Sequence, residues 1–210
     1  MSLFLRLVLF SSFTVTLAAQ TGGDLVSVEE LRNPLTGKSL RMLVTAREHL
    51  KSGQRERGMQ ELRDALGDPV AMPYAISMLG VEHLKAGLLD TAIGELEQAT
   101  QLLPGRPENH SNLAYTFYLK GQSERGLDEA RKAVQLDGGS PKTRLVLGML
   151  LLQQGSHEAE AIHQLQVVAQ DDPDAHLILA RHYDRAGNVP EAEKERRAYA
   201  VKSTGLLAAR

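Results

Sequence analysis

Residues 73–106 read PYAISMLGVEHLKAGLLDTAIGELEQATQLLPGR, and the glycine near the middle of this stretch, Gly87, belongs to a series that recurs along the chain. Glycines stand at 53, 87, 121 and 155, at one constant spacing, and a fifth follows at Gly187 after a slightly shorter step. A fixed period of this size is typical of proteins built from stacked copies of one structural unit. The sequence therefore predicts a repeat protein.

Small residues recur in register with these glycines. Seven positions before each glycine stands an alanine or a further glycine, namely Ala46, Gly80, Ala114, Gly148 and Ala180. A second set follows the glycines by five positions, or by six after Gly155, and comprises Gly58, Ala92, Gly126, Ala161 and Ala192. The pattern predicts a helix, a turn at the glycine and a second helix, with small residues letting the two helices approach closely. Serine or proline is expected to open each first helix, at 39, 73, 107, 141 and 173.

This arrangement resembles the tetratricopeptide repeat, a helical hairpin whose length equals the glycine spacing. Its pattern is Leu-Gly or Leu-Ala, then an aromatic residue, then alanines. Residues 73–106 match it best, through Leu79, Gly80, Gly87, Ala92, Leu96, Ala99 and Pro104. The resemblance covers residues 39–203 and implies an all-α fold, a right-handed superhelical solenoid of about five hairpins. The repeats lie near 39–72, 73–106, 107–140, 141–172 and 173–203. His49, His83 and Leu151 depart from the family pattern, because they stand where it has an aromatic residue.

The composition agrees with a helical repeat and argues against nucleic acid as a partner. Aromatic residues make up only 4% of the 210 residues and tryptophan is absent, so leucine, alanine and valine must form most of the core. The formal net charge is -2, and no basic stripe runs along the chain. Nucleic-acid-binding domains carry such a stripe, so this sequence predicts a different class of partner.

The N-terminal segment, residues 1–19, differs in kind from the rest. Arg6 precedes an apolar run over residues 7–19, and Leu17-Ala18-Ala19-Gln20 offers a cleavage site of small residues, as in a secretory signal peptide. The run is too short to span a bilayer comfortably, so no stable membrane span is expected after cleavage near Ala19. We expect an exported protein, periplasmic or secreted, with an extended linker at 20–38 and a short C-terminal tail at 204–210. The absence of cysteine excludes disulfides and a lipid anchor on cysteine.

The histidines and the other reactive side chains do not form a recognisable catalytic or metal-binding pattern. Two histidine pairs are spaced by six residues, His157 with His163 and His176 with His182. On a helix this spacing turns the side chains about 120° apart, whereas zinc pairs share a face at three or four residues. Thr36-Gly37-Lys38-Ser39 resembles the end of a phosphate-binding loop, but Arg32 stands where that loop needs glycine. The sequence therefore predicts no metal site, no cofactor and no enzymatic activity.

The resemblance places a partner-binding groove on the first helices of the repeats. The positions that face into it are Leu43, Arg47, Leu50, Tyr74, Ser77, Val81, Leu84, Tyr115, Tyr118, Lys142, Leu145, Met149, Leu152 and Arg181. They are apolar and aromatic in the middle of the series, with cations near both ends. Such a surface favours an extended or helical peptide with apolar side chains.

Some members of the family hold the carboxylate end of heat-shock chaperones with lysine and asparagine side chains in the groove. Asn112 and Lys142 occupy places that resemble part of that set, but Ser77 and Val81 replace its first lysine and asparagine, so this clamp is not predicted. The sequence predicts an exported, non-catalytic scaffold or adaptor that binds a peptide or protein.

Two alternatives remain open. One is a self-associating structural element of an envelope complex, and the groove then has two further candidate occupants, the C-terminal helix of another copy and the chain's own segment 20–38. The other is a metal-binding factor or enzyme that uses the histidines, and unchanged function after replacing His49, His83, His157 and His163 would dismiss it.

Overall fold

The computed structural model describes residues 35, 37–155 and 157–208, without the side chains of 204–208. These residues form ten helices and no strand, which confirms the predicted all-α class. The helices are α1 (Gly37–Lys51), α2 (Arg55–Ala65), α3 (Met72–Lys85), α4 (Leu89–Leu102), α5 (Pro107–Lys120), α6 (Ser123–Leu136), α7 (Pro141–Gln154), α8 (Glu158–Val168), α9 (Asp174–Arg185) and α10 (Val189–Ala208). None of these described helices is both long and apolar enough to cross a membrane.

The chain divides into two compact units, Met1–Thr116 and Phe117–Arg210, with the boundary inside α5. In the first unit α1 packs against α2, α3 packs against α4, and α2 also packs against α3. In the second unit the pairs are α7 with α8 and α9 with α10, while α6 packs on α7 and α8 on α9. Each unit is therefore built from helical hairpins in chain order, as the glycine period predicts.

The five periodic glycines end the first helices as expected. Their φ angles are 81° at Gly53, 75° at Gly87, 76° at Gly121, 75° at Gly155 and 72° at Gly187. Gly155 follows α7 directly, and its N–H donates to the carbonyl oxygen of Leu151 at 3.0 Å. A residue with a Cβ is strained at such angles, so glycine at this period follows from the shape of the turn.

The small residues inside the helices allow the two helices of a hairpin to touch. A Cβ built on Gly58 would lie 2.6 Å from Leu50 Cγ. Built on Gly80 it would lie 2.8 Å from Leu96 Cγ, and on Gly148 it would lie 2.7 Å from Leu165 Cγ. All three distances are below any ordinary carbon contact, so a leucine of one helix rests on the bare backbone of the other. The close approach predicted for Gly58 is confirmed.

The core of the first unit is formed mainly by leucine and alanine, as the composition predicts. Its buried members are Leu43, Ala46, Met59, Leu62, Ala65, Ala71, Tyr74, Ala75, Leu79 and Leu103. Leu35, which precedes α1, is partly buried and packs against this cluster together with Met42 and Leu50. The chain therefore joins the folded core two residues before its first helix begins.

Helix ends differ from the sequence prediction at both ends of the repeat region. α1 begins at Gly37, so Ser39 lies within its first turn and does not cap it; the Ser39 side chain is buried and bonded elsewhere. α10 continues to Ala208, so most of the predicted tail at 204–210 is helical. After Lys202, α10 meets no proline among the described residues, and Gly205 lies within the helix without a positive φ. Neither of the usual stop signals therefore ends α10 there.

Asp68 ties the turn after α2 to the start of α1. One of its carboxylate oxygens, Oδ1, accepts hydrogen bonds from the backbone N–H groups of Val70 and Ala71 and from the Ser39 hydroxyl, each at 3.0 Å. The bond from the Ala71 N–H, together with those from Ser39 and Val70, lowers the pKa of Asp68. Hydrogen bonds to the charged form stabilise it, so the carboxylate is favoured in the folded state.

Asp68→Asn is therefore expected to lower the melting temperature at neutral pH. The pKa of Asp68 is lower in the folded chain than in the unfolded chain. The Asp68 carboxylate therefore contributes its full stabilisation at pH values above the unfolded pKa, and this contribution is lost as the pH falls through the folded pKa. Thermal unfolding followed by circular dichroism should show a difference from the native chain at pH 7 that disappears in strong acid. Asp128→Asn, on the exposed side of α6, serves as the control. An equal difference at all pH values would contradict this account.

Candidate functional site

In the first unit, several predicted groove side chains are used in packing between helices. Leu43 and Tyr74 are 2% and 4% exposed and belong to the core cluster. Leu50 is half-buried, with its Cγ against the backbone of Gly58. Leu84 and Tyr115 are also buried, whereas Arg47 is half-buried. The structure thus gives Leu43, Leu50 and Tyr74 a role in folding that helix position alone does not reveal.

One side of α3 forms what we call the unit 1 face, made by Tyr74, Ser77 and Val81. These residues are spaced by three and four positions, so they lie on the same side of the helix. The Arg106 guanidinium carbon lies 5.4 Å from the centroid of the Tyr74 ring, which is the geometry of a cation–π contact. Ser77 Oγ donates to Asn109 Oδ1 at 2.6 Å. Both contacts join this face to the segment that begins α5.

Two asparagines of α5, Asn109 and Asn112, are buried. Asn109 Nδ2 donates to the carbonyl oxygen of Ala99 at 3.3 Å, so this side chain links α3, α4 and α5. Asn112 lies one turn further on the same side of α5 and is 2% exposed. Its Oδ1 atom is buried and accepts no hydrogen bond within the part of the chain that the structure describes. A buried amide oxygen is normally paired, so Asn112 Oδ1 is an exception to that rule.

In the second unit, the predicted groove residues are more accessible, and we call the accessible set the unit 2 face. Tyr118, Lys142 and Leu152 are half-buried and Arg181 is exposed, whereas Leu145 and Met149 of α7 are buried. The Tyr118 carbonyl oxygen accepts from Gln153 Nε2 at 3.3 Å, which anchors the end of α7 beside it. The unit 2 face therefore offers an aromatic ring, an aliphatic side chain and two cations.

The two histidines at the aromatic position each bond to a glutamate on the second helix of the same repeat. His49 Nδ1 lies 2.7 Å from Glu61 Oε2, and His83 Nδ1 lies 2.6 Å from Glu95 Oε2. Both histidine side chains are less than one-fifth exposed. The sequence showed both histidines at the position of an aromatic residue but did not predict these partners. The signal was present, because the two glutamates follow their histidines at the same separation along the chain.

Further histidine–glutamate pairs hold the last repeats together. His176 Nδ1 lies 2.5 Å from Glu195 Oε2, and His182 Nε2 lies 2.8 Å from Glu158 Oε1. Burial, and then the charge of Glu195, raise the pKa of Tyr183. His176 Nε2 is buried without a partner among the described residues, which favours the tautomer with the proton on Nδ1, donated to Glu195. These pairs bridge neighbouring helices, so their evident role is in packing.

The described residues contain no group of three or more histidine, aspartate or glutamate side chains placed to hold a metal ion. In the pair of His176 and His182, which the sequence singled out, the two side chains have different partners. His176 and His182 bond to different glutamates on different helices, and the His157 ring lies 4.0 Å from Glu160. His157, His176 and His182 thus each contact a glutamate side chain.

Solved structures similar to this chain are helical repeat proteins. PilW, described as a widely conserved type IV pilus biogenesis factor, aligns with a TM-score of 0.73 and 19% identity, over 80% of this chain and 79% of its own. MamA from Desulfovibrio magneticus RS-1 aligns with a TM-score of 0.67 and 13% identity, over 81% and 98%. A second MamA structure aligns with a TM-score of 0.63 and 17% identity, over 78% and 96%. At these identities the likeness concerns the fold.

Comparison with curated proteins found no match. The family model TPR_16, tetratricopeptide repeat, matches residues 77–141 and 145–205, which together make up more than half of the chain. The matched residues include the turn glycines at 87, 121, 155 and 187, and the close helix contacts at Gly80 and Gly148. This match, together with the repeated hairpins and their glycine turns, shows that the chain belongs to the tetratricopeptide repeat family.

Proposed function

We propose that this protein is an exported, non-catalytic scaffold that binds a peptide or protein partner through the first helices of its repeats. The family and the helical-hairpin fold support a role in protein interaction, since the family's repeats present their first helices to partners. The observation that carries the proposal is the accessible set Tyr118, Lys142, Leu152 and Arg181 in the second unit. Tyrosine and arginine are the side chains most enriched among strong contacts at protein interfaces.

The chemistry of the unit 2 face indicates the kind of partner. Tyr118 and Leu152 offer apolar area, while Lys142 and Arg181 carry positive charge. An extended segment with apolar side chains and one or more carboxylates therefore fits this face best.

Selection from a random peptide library displayed on phage tests the proposal. Peptides that combine apolar and acidic residues should be enriched against the native protein. Leu152→Glu is expected to weaken their binding about tenfold or more, because replacing an apolar contact with a charge costs at least about 1–2 kcal/mol. Leu136→Glu is the matched control, since Leu136 is an exposed leucine of α6 that the proposal does not use.

Circular dichroism should first show that both variants are equally helical, and peptide binding is then compared between them. If Leu136→Glu weakens the selected peptides as much as Leu152→Glu does, the assignment of the face is wrong. If no peptide class is enriched at all, the proposed function fails as a whole.

The proposal of export rests on residues 1–19, which lie outside the described residues. Expression in a bacterial host with its secretion pathway intact should yield protein in the exported fraction whose first residue is Gln20. N-terminal sequencing reads this directly. An intact Met1 on protein that stays in the cytoplasm would contradict export without affecting the binding proposal.

A further inference from the structure

Gln153, which follows Leu152 at the end of α7, joins α7 to the preceding hairpin by two hydrogen bonds. Its side-chain oxygen Oε1 accepts from the Ser123 hydroxyl at 2.8 Å, and its side-chain nitrogen Nε2 donates to the Tyr118 carbonyl oxygen at 3.3 Å. Tyr118 lies in the last turn of α5, and Ser123 is the first residue of α6. One side-chain amide therefore holds both sides of the turn at Gly121.

The two bonds determine which way the amide of Gln153 points. A carbonyl oxygen can only accept, so the nitrogen must face Tyr118, and the oxygen is left for the Ser123 hydroxyl. The Tyr118 carbonyl lies near the end of α5, where the last carbonyls have no partner within the helix, and it also accepts from the Gly121 N–H at 3.1 Å. Glutamine supplies both a donor and an acceptor here, which no ionised or apolar side chain of similar length can do.

Contacts of the same kind join other consecutive repeats. Arg55, the first residue of α2, donates through Nη2 to the backbone oxygen of Glu82 in α3 at 3.1 Å. Glu158, the first residue of α8, has its Oε1 atom 2.8 Å from His182 Nε2 in α9. In each case a polar residue at the start of a second helix is bonded to the first helix of the next repeat. The bond from Ser123 to α7 follows this pattern, so its role is to set one repeat against the next.

The Gln153 contact lies beside the unit 2 face. Tyr118 and Leu152 are the half-buried aromatic and aliphatic members of that face, and they occupy the same position in consecutive repeats, three residues before the turn glycines 121 and 155. Gln153 bonds to the backbone of Tyr118 and is the chain neighbour of Leu152. Two side chains on different helices can bind one partner together only when the spacing of those helices is held.

We propose that Gln153 is a positioning residue for the partner site, which holds Tyr118 and Leu152 at the spacing that binding needs by tying the turn between α5 and α6 to the end of α7. Gln153 acts through these two residues and not by touching the partner. A free protein already held in its binding geometry has less ordering to undergo, so its affinity is higher. The inference rests on the proposed function, because it names a residue on which the same face depends.

Binding of the library-selected peptides to variants of the full chain tests the positioning role. Gln153→Met keeps the length and the apolar stem of the side chain but loses both hydrogen bonds, and it should weaken binding about two- to tenfold. Ser123→Ala should weaken the same peptides, and the double variant should lose little more than Gln153→Met alone, because both changes break one contact. Gln135→Ala, at an exposed glutamine of α6, is the matched control and should bind as the native chain does.

Two further measurements separate positioning from folding. Gln153 is exposed, so Gln153→Met should leave the melting temperature within about 2 °C of the native value. In the free native protein, the side-chain amide protons of Gln153 should show nuclear Overhauser contacts to the β-protons of Ser123. This NMR measurement needs no peptide.

Several results would overturn the proposal. Native affinity in Gln153→Met, with peptides that bind the native chain well, would refute this inference and leave the proposed function intact. Fully additive losses from Gln153→Met and Ser123→Ala would mean that Gln153 acts on the peptide directly. A large fall in melting temperature would make its role one of folding, and absence of the Overhauser contacts would remove the bond itself. If the native chain selects no peptide, the positioning role fails together with the proposed function, whatever the NMR contacts show.

Discussion

Leu96→Ala is expected to lower the free energy of unfolding of the first unit by about 2–5 kcal/mol, the range for removing a fully buried leucine. Leu96 is 0% exposed and rests on the backbone of Gly80, so the space that it leaves cannot be filled without moving α4 toward α3. Denaturation with urea, followed by circular dichroism, measures the change as a lower midpoint at unchanged slope.

The matched control is Leu88→Ala, in the turn between the same two helices. Leu88 is 53% exposed, and such surface substitutions change stability by only about 0.5 kcal/mol or less. If Leu96→Ala were as mild as Leu88→Ala, the close contact between α3 and α4 would not be what stabilises this hairpin.

Gly80→Ala and Gly94→Ala are expected to change the stability of the same hairpin in opposite directions. The new Cβ at Gly80 would lie 2.8 Å from Leu96 Cγ, and overpacking of this kind costs about 1–3 kcal/mol. Gly94 has open space around its missing Cβ, so alanine there should add about 1 kcal/mol through helix propensity alone. Gly148→Ala, against Leu165, should resemble Gly80→Ala in the second unit.

The double variant Gly80→Ala, Leu96→Ala separates crowding from other effects. Alanine at 96 removes the atoms that the new methyl group would strike, so the double variant should be more stable than the sum of the two single changes predicts. Residues in contact typically show a coupling of about 0.5–3 kcal/mol. Strict additivity would mean that Gly80 is required for a reason other than the approach of Leu96.

The hairpins, their turns and their small-residue contacts could be predicted from the sequence because each depends on a local requirement. A turn with positive φ at Gly87 needs glycine, and a leucine resting on a helix backbone needs glycine or alanine opposite it. Such requirements recur with every copy of the unit, so the period of the glycines displays them. Helix ends are less constrained, which is why α10 passes the predicted end and α1 begins before Ser39.

The candidate site was less predictable because position on a helix does not determine what covers a side chain. Leu43 and Tyr74 stand at groove positions of the repeat, yet they are buried in the core of the first unit. The bond of Glu95 to His83 needed knowledge of the distance between two helices, although the repeated histidine–glutamate spacing was visible. Binding of a partner at the remaining groove positions stays a prediction.

Mapping a selected peptide onto the protein by NMR tests the central claim most directly, namely that a partner binds through the first helices. On titration, the account predicts that the amide signals of Tyr118, Lys142, Leu152 and Arg181 shift progressively, while those along the exposed side of α6, around Leu136, stay in place. Shifts centred on α6 or α8, with the first helices unchanged, would contradict it.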